Sequence, residues 1–466
     1  MEKFKPIKNE QLFLLPPSIT DFIPESHLAR IINEIVDTID VSEIENKYSI
    51  LGQKSYSPRL LLKLLFYAYS TGTRSGRKIA ACCEQDTAFM YLASMYKPDF
   101  RTINDFRKNN TSFIQKSFLH IVQICRELGM CKAGMLILDG SKLKANANAS
   151  LTKTKQQYEQ WLKQIEEDIK LILDQAAQED TDEDQRYGTT RGDELPKELQ
   201  SKQKLKSKII KALSQIKEDE KLNLTDQDAK YIKGKGGIDL NYNCQAAITE
   251  DGIIVGAYAS NNCSDRPETI RAVENAEEVS GIKFVQILAD SGYASYDNYE
   301  HLSKEGKDIY IPDQQMNNEK EMEKNPYHRN HFIYQNDKDF LVCPEGKKLL
   351  FNSFYDDKRT KQKSKIYKCN ACPDCEKQKI CTKGKYRQIY IELREPLREK
   401  IRDKLKTIDG KAQYLKRMRI ESIFVNIKLN LNYTHLYLKG LEKVTAEWQL
   451  ICIGHNLKKI HKRKAA

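Results

Sequence analysis

Two aspartates stand in matching places in the chain, each at the end of a short apolar run. Asp139 ends the run MLILD and Asp290 ends QILAD, and a small residue follows each. Runs of this kind predict buried strands, and the end of a strand on a rigid sheet is a suitable place to hold a reactive group. An aspartate there can equally be a turn or helix-capping residue, so the pattern leaves both interpretations open.

Glu421 could supply a third carboxylate. It lies in KAQYLKRMRIESIFVNIK, which we predict to be one long helix rich in basic residues. Carboxylates from two strands and a helix can hold two Mg²⁺ or Mn²⁺ ions about 4 Å apart, one activating the attacking oxygen and the other stabilising the leaving oxygen. Asp139, Asp290 and Glu421 are therefore predicted to form a two-metal site.

A second group of possible metal ligands is made of cysteines between positions 343 and 381. Their short spacings bring thiolates together, and structural zinc takes four such ligands in a tetrahedron. We predict zinc bound by Cys343, Cys372, Cys375 and Cys381, with Cys369 as a possible substitute. An iron–sulfur cluster or no metal are the alternatives. The other cysteines are predicted to be small buried hydrophobic residues.

The elements that must position these residues begin with helices. Residues from about 20 to 130 have helical patterning, with Pro58 in the first turn of one helix and Gly72 at its end. Thr102 and Asp105 have the spacing of a capping box, which predicts that another helix begins at Thr102 and runs to Leu128.

Strand patterns begin at residue 135 and return at 242–248 and 253–259, where the intervening turn predicts a hairpin. A helix from Pro267, a strand at 284–290 and a helix–turn–strand at 301–312 follow. This order predicts a mixed α/β fold.

Between the first strand and the hairpin, residues 151–222 have apolar residues at helical spacing, among them Trp161 and Ile165. They predict a solvated helical hairpin, and its acidic middle, residues 178–196, is predicted to be a mobile loop.

Four residues around Glu421 match a known signature. Tyr414, Arg417, Glu421 and Lys428 follow the spacing Tyr, two residues, Arg, three residues, Glu, six residues, Lys, which resembles one large lineage of bacterial insertion-sequence transposases of the DDE superfamily. The segments LDGSKLKANAN and ADSGYAS resemble the first- and second-aspartate motifs of that family. The N-terminal helical stretch and the C-terminal tail are similar to it as well.

The resemblance implies an RNase H-like catalytic core with an Asp-Asp-Glu site. It implies a helical DNA-binding or dimerisation domain at 1–130 and a catalytic domain at 131–466. The catalytic domain would be interrupted by a helical hairpin at 151–235 and a small Cys-rich zinc-binding insertion at 313–390.

Further residues are predicted to assist the triad. Arg417 and Lys428 lie one turn before and two turns after Glu421 on a continuous helix, so with Tyr414 they would form one DNA-binding face. The alternative is a solvated basic helix. Asp265 is either an accessory acid near the metals or the N-cap of the helix at Pro267.

Composition limits the class of protein. The 466 residues include 77 Lys and Arg against 65 Asp and Glu, a net charge of +12, which suits a polyanionic partner. No apolar run approaches the roughly 20 residues needed to cross a bilayer, and the charged N-terminus does not resemble a signal peptide. We therefore expect a cytoplasmic protein without a disulfide framework. The resemblance implies that it is bacterial and associated with the nucleoid.

The expected function is that of a transposase which binds terminal inverted repeats of double-stranded DNA, hydrolyses the ends and transfers the 3′-hydroxyl strands to target DNA. It would use two Mg²⁺ or Mn²⁺ ions per site and act as a homodimer on DNA, since each chain carries one triad. The alternatives are a nuclease of the same fold and a non-catalytic DNA-binding protein domesticated from a transposase.

Overall fold

A computed structural model describes seven stretches of the chain, residues 18–48, 54–187, 197–234, 236–317, 324–335, 338–358 and 362–464. Helices are numbered in chain order: α1 Leu28–Asp37, α2 Ser42–Glu45, α3 Pro58–Thr71, α4 Gly76–Gln85, α5 Thr87–Leu92, α6 Phe100–Asn109, α7 Thr111–Glu127, α8 Lys155–Tyr187, α9 Lys197–Leu213, α10 Glu268–Ser280, α11 Tyr296–Lys304, α12 Gln314–Asn317, α13 Gln378–Cys381, α14 Glu395–Lys406, α15 Ile408–Leu415, α16 Met418–Val425 and α17 Leu441–Lys464.

Strands are numbered in the same way: β1 Met135–Lys144, β2 Thr152–Thr154, β3 Lys221–Asn223, β4 Lys230–Gly234, β5 Gly237–Thr249, β6 Ile254–Ser260, β7 Gln286–Leu288, β8 Asp308–Tyr310, β9 Ile333–Gln335, β10 Phe340–Val342, β11 Lys348–Asp356, β12 Lys363–Lys368 and β13 Gln388–Glu392.

The central sheet has six strands. Strand β5 pairs with β1 along one edge and with β4 and β6 along the other, all antiparallel, whereas β7 and β8 continue beyond β1 in parallel. The mixed α/β class is confirmed, and so is the predicted hairpin, now β5 and β6. This strand order is compatible with the RNase H-like core, which stays a prediction.

One hydrophobic core joins the sheet to the N-terminal helices. It extends from Ile23 in the first described stretch to Ile460 near the C-terminus. Helix α17 connects the two parts, because it packs on α3 and α7 on one side and on β6 on the other, and it is buried along most of its length. The strands beneath are apolar on both faces because helices cover them.

The start of α6 corrects one prediction. The helix begins at Phe100 rather than Thr102, and the carboxylate of Asp99 accepts from the N–H groups of Arg101 and Thr102. An Asp is a good N-cap, so Asp99 starts the helix before Thr102 can. The predicted continuous helix also breaks at Asn110, where α7 follows. By contrast, Pro58 does occupy the first turn of α3, and Gly72 ends it with a φ of +83°.

The helical hairpin at 151–222 is confirmed as α8 and α9, which rise from a two-stranded ribbon of β2 and β3 and have a small core of their own. The loop prediction was wrong at its beginning, because α8 continues to Tyr187. The rest of the predicted loop, 188–196, lies outside the described residues.

The predicted long helix around Glu421 is interrupted. It consists of α15, α16 and a π-helical turn, Asn426–Asn430. At the junction, the N–H groups of Lys416 and Arg417 donate to carbonyls three residues back instead of four. This tighter turn interrupts the α-helix. The prediction that the four signature residues share one continuous helical face was therefore wrong.

A second sheet has five antiparallel strands, β9 to β13, and the segments that connect them carry the five clustered cysteines. It has a separate small core that includes Leu349 and Tyr367. Within the described stretches, no helix combines the length and the apolar character needed to span a bilayer.

Candidate active site

The register of β1 and β7 brings Asp139 and Asp290 to the same edge of the sheet. The two strands are parallel, and Ile137 lies opposite Leu288. Each aspartate is two residues beyond its member of that pair. Asp290 follows the end of β7, but Asp139 lies inside β1, which continues to Lys144 because it stays paired with β5, so the prediction that Asp139 ends its strand was wrong. Two apolar runs ended by an acid are thus aligned by strand pairing.

Burial and a neighbouring charge disfavour the ionised form of Asp139. Desolvation and the nearby Asp290 raise its pKa to about 7, against the opposing effects of the Gly140 N–H and of Arg417. The Asp290 carboxylate accepts from the Gly292 N–H at 2.8 Å and caps a short 3₁₀ turn. The capping interpretation is therefore correct for Asp290, and it is compatible with a catalytic role.

Asp265 is not a helix cap. The N-cap of α10 is Pro267, and the Asp265 carboxylate accepts instead from Lys142 Nζ at 2.8 Å, Asn243 Nδ2 at 2.6 Å and Gln245 Nε2 at 2.8 Å. It is therefore held by side chains of β1 and β5, close to Asp139 and Asp290.

Two glycines show how closely these acids approach. A Cβ atom on Gly140 would lie 2.6 Å from Asp265 Oδ1, and one on Gly292 would lie 2.9 Å from Asp290 Oδ1 and 3.7 Å from Asp265 Oδ2. Real Cβ atoms do not come so near to other heavy atoms. Both positions therefore require glycine for the acidic group to assemble.

Sequence patterning missed the polar network that supports Asp265. Asn243 and Gln245 are fully buried on β5, and the Tyr293 hydroxyl donates to Gln245 Oε1 at 2.5 Å. The signal was present, because Asn241, Asn243 and Gln245 alternate with apolar residues along the strand. Buried polar side chains in such a strand need partners, and here the partners are the acid and Lys142.

Arg417 forms an ion pair with Glu421 and interacts electrostatically with the two aspartates. Its Nη2 is 2.7 Å from Glu421 Oε1, and the guanidinium lies 5.7 Å from the centre of the Tyr414 ring. Burial opposes its charge, but Tyr414, Glu421, Asp139 and Asp290 keep the pKa of Arg417 above its usual value. The expected one-turn spacing of Arg417 and Glu421 is therefore realised.

Lys428 faces the sheet. Its Nζ donates to the backbone carbonyl of Lys142 on β1 at 3.1 Å, and the residue is half-buried. Lys428 thus ties the π-helical turn to the strand that carries Asp139. A contact of Lys428, Arg417 or Tyr414 with DNA stays a prediction.

The acidic group has the donor chemistry that Mg²⁺ prefers, namely carboxylate oxygens on a rigid support. Among the residues that the structure describes, however, no three or more acidic, His or Cys side chains are arranged around a common point as metal ligands. The two-metal site therefore stays a prediction, supported by the chemistry of the residues and not by their present spacing.

The five clustered cysteines line one small cavity of about 20 Å³ in the second sheet domain. Burial raises the pKa of Cys369 to about 11, and it raises that of Cys381, with Cys372, Cys343 and Cys375 adding to the effect on Cys381. Their mutual influence shows that the thiols are neighbours.

Backbone N–H groups already point at two of these sulfurs. Lys347 N–H donates to Cys343 Sγ and Arg387 N–H donates to Cys372 Sγ, both at 3.3 Å. Such donors would stabilise thiolates, which suits a zinc site. Zinc itself stays a prediction.

The scattered cysteines are mostly inside, as predicted. Cys83, Cys125, Cys244 and Cys452 are buried, and Cys82 and Cys131 are half-buried. The prediction was wrong for Cys263, which is exposed because it lies in the loop after β6.

Two family models match the chain. A transposase DDE domain matches residues 342–461, which include the cysteines, Glu421 and α17. A transposase domain known as DUF772 matches residues 17–109, the N-terminal helices. No curated protein matches the chain. Transposase domains thus match both ends of the chain, as the sequence resemblance implied, and the two matches support an insertion-sequence DDE transposase.

Proposed function

We propose that this transposase binds the terminal inverted repeats of its element, hydrolyses the DNA ends and joins the 3′-hydroxyl strands to target DNA at an RNase H-like site made of Asp139, Asp290 and Glu421. The observation that carries the proposal is the parallel register of β1 and β7, which sets Asp139 beside Asp290. Both reactions are in-line attacks on a phosphodiester, so one site can serve both.

The three carboxylates would hold two Mg²⁺ or Mn²⁺ ions, which supply Lewis-acid activation of the attacking and leaving oxygens when bound. In the present arrangement Glu421 is paired with Arg417, and half of the Glu421 side chain is exposed. For Glu421 to act as a ligand, Arg417 has to release it. The released guanidinium would then be free to bind a DNA phosphate bidentately.

Asp265 would act through Lys142 as a positioning residue. The Lys142–Asp265 ion pair is mostly buried, with side chains 16% and 18% exposed. It lies directly beside Gly140 and would hold this part of β1 in place. Tyr414 and Lys428 complete the proposed DNA-binding set, and the cysteines would hold a structural zinc in the second sheet domain.

Each chain contributes one triad, whereas transposition processes two element ends together. We therefore propose a homodimer on DNA. Closed two-fold symmetry is the commonest arrangement of soluble homo-oligomers. Light scattering with end-sequence DNA should give two chains per pair of ends, and a fully active complex with one chain would contradict the homodimer.

The test uses purified protein, Mg²⁺ or Mn²⁺, and a labelled duplex that carries the element's terminal repeat together with a target plasmid. We expect cleavage at the repeat boundary and covalent joining of the 3′ end to the plasmid. Cleavage without joining would instead identify a nuclease of the same fold. Binding without either reaction would identify a non-catalytic DNA-binding protein, and absence of repeat binding would refute the proposal.

A further inference from the structure

The helical hairpin of α8 and α9, which we call the arm, takes no part in the site described above. Helix α8 has 33 residues, a length of about 50 Å at 1.5 Å per residue. The two helices pack on each other, and the arm is fixed at its base, where Tyr158 donates its hydroxyl to the carbonyls of Leu151 and Leu222. The arm is therefore a long projection with a firm attachment.

The lysines of α9 fall into two sets that the structure separates clearly. Lys202 and Lys206 face α8 and are neutralised there, by Asp168 at 2.7 Å and Glu166 at 2.9 Å. Lys204, Lys208 and Lys211 point away from α8 and are exposed. In the described part of the chain, none of these three ammonium groups has an ion-pair or hydrogen-bond partner.

The three outward lysines form one stripe. Their spacing of four and then three residues places them on one face of the helix, across about 10 Å. Between them the exposed residues include Ser207, and no acidic side chain of α9 lies in this stretch, since Glu198 is the only acid of the helix. The outward face of α9 is thus an uncompensated positive surface, unlike the inward face.

We propose that the outward face of α9, defined by Lys204, Lys208 and Lys211, binds the phosphate backbone of duplex DNA. The proposal rests on the proposed function to the extent that it takes DNA to be the substrate. Lysines on flexible stems neutralise phosphates as point charges without reading bases, so the contact is independent of sequence. It extends the proposed DNA-binding surface well beyond Asp139, Asp290 and Glu421.

A second copy of this chain is the other class of partner, because the tip segment 178–184 is acidic and could attract α9 of another molecule. Duplex DNA is favoured for a physical reason. It presents phosphates at regular intervals along the whole stripe, and each lysine that binds one releases a condensed counterion.

The test compares the wild-type chain with Lys204→Gln/Lys208→Gln/Lys211→Gln in fluorescence-anisotropy titrations of a labelled duplex at several salt concentrations. Gln is a good helix former, so the arm should keep its helix content in circular dichroism. We expect weaker binding and a slope of log affinity against log salt that is shallower by about 3, one counterion for each lysine. The Lys→Arg variant at the same three positions should restore the slope.

The matched control is Lys97→Gln/Lys283→Gln/Lys304→Gln. It removes the same charge from three exposed lysines that already have acidic partners, Glu84, Glu277 and Glu300. We expect the salt slope of this control to equal that of the wild type. An arm variant with the wild-type slope, or a control with an equal loss, would overturn the proposal.

Three further outcomes separate the explanations. If light scattering without DNA shows that the wild type is a dimer and the arm variant a monomer, α9 binds a second copy and the DNA proposal is overturned. If the wild-type chain binds no duplex at all, both this proposal and the proposed function fail. If it binds and joins DNA but the arm variant does so equally well, only the arm proposal fails.

Discussion

The carboxylates of Asp139, Asp290 and Glu421 and the clustered cysteines are both predicted metal sites, yet they are built differently. The acids come from residues far apart in the chain and are brought together by strand pairing, as with Asp139 and Asp290. The cysteines are close in sequence and line a small cavity through local turns. Long-range register creates the first site, and short spacing creates the second.

The two sites also differ in the protein groups that balance their charge. Around the acids, Arg417 and Lys142 already supply positive charge, and Asp139 favours its protonated form. Around the thiols, Arg387 is the cation that lowers the pKa of Cys381. The acids can therefore assemble before metal arrives, whereas we expect the thiols to depend on zinc for their local fold.

The largest expected effect comes from the acids. Asp139→Asn should abolish cleavage and joining, a loss of several orders of magnitude, because it removes a carboxylate ligand without changing the size of the side chain. Binding of the terminal repeat should be retained. Asp297→Asn is the matched control, since Asp297 is exposed on α11 and paired with Arg394. An active Asp139→Asn protein would contradict the assignment of Asp139 as a metal ligand.

The second effect concerns the cysteines. Metal analysis of purified protein should find about one zinc per chain, and Cys372→Ser/Cys375→Ser should lose it. The second sheet domain should then unfold at lower temperature or become sensitive to proteolysis. Cys263→Ser, which changes an exposed cysteine outside the cluster, should keep the zinc. A metal-free protein with full stability would exclude the zinc site.

The third prediction tests whether Asp265, through Lys142, positions β1 for catalysis. Asp265→Asn should lower the rate of DNA joining by about 10- to 100-fold, the usual scale for a residue that orients a site without touching the substrate. The apparent affinity for DNA should change little, so the effect should appear in kcat and not in KM. A loss as complete as that of Asp139→Asn would instead make Asp265 a ligand.

The smallest expected effect is a pH dependence of stability in metal-free protein. The pKa of Asp139 is about 7 in the fold against an ordinary value of 3.8, so the folded state holds a proton that the unfolded state releases. Stability should fall as pH rises from about 4 to 7, by up to about 4 kcal/mol. Asp139→Asn should flatten the slope in chemical unfolding. Cys369 and Cys381 should add nothing in this range, because burial raises the pKa of both thiols.

The parts of the site that follow local patterns could be predicted from the sequence. Asp139 and Asp290 were identifiable because each follows a short apolar run that forms a strand, although only Asp290 lies beyond the end of its strand. The helical arm was identifiable from residues such as Ile165. These signals depend on neighbours in the sequence, which patterning records directly.

The missed parts depend on distant partners or on competition between neighbours. The pair of Lys142 and Asp265 requires β1 to pair with β5 and β5 with β6, the strand that precedes Asp265, and local patterning does not give these pairings. The break at Arg417 required knowing that i→i−3 bonds replace the helical ones there. At the start of α6, both Asp99 and Thr102 are suitable N-cap residues, and Asp99, which comes earlier in the chain, is the N-cap.

The most direct test of the central claim is anomalous scattering from Mn²⁺ in crystals of the chain bound to its element-end DNA. The account predicts two Mn²⁺ peaks about 4 Å apart, bound by the carboxylates of Asp139, Asp290 and Glu421 and by a DNA phosphate. It also predicts that Arg417 has left Glu421. Mn²⁺ bound elsewhere, or a metal pair without Glu421 among its ligands, would contradict the assignment of the triad.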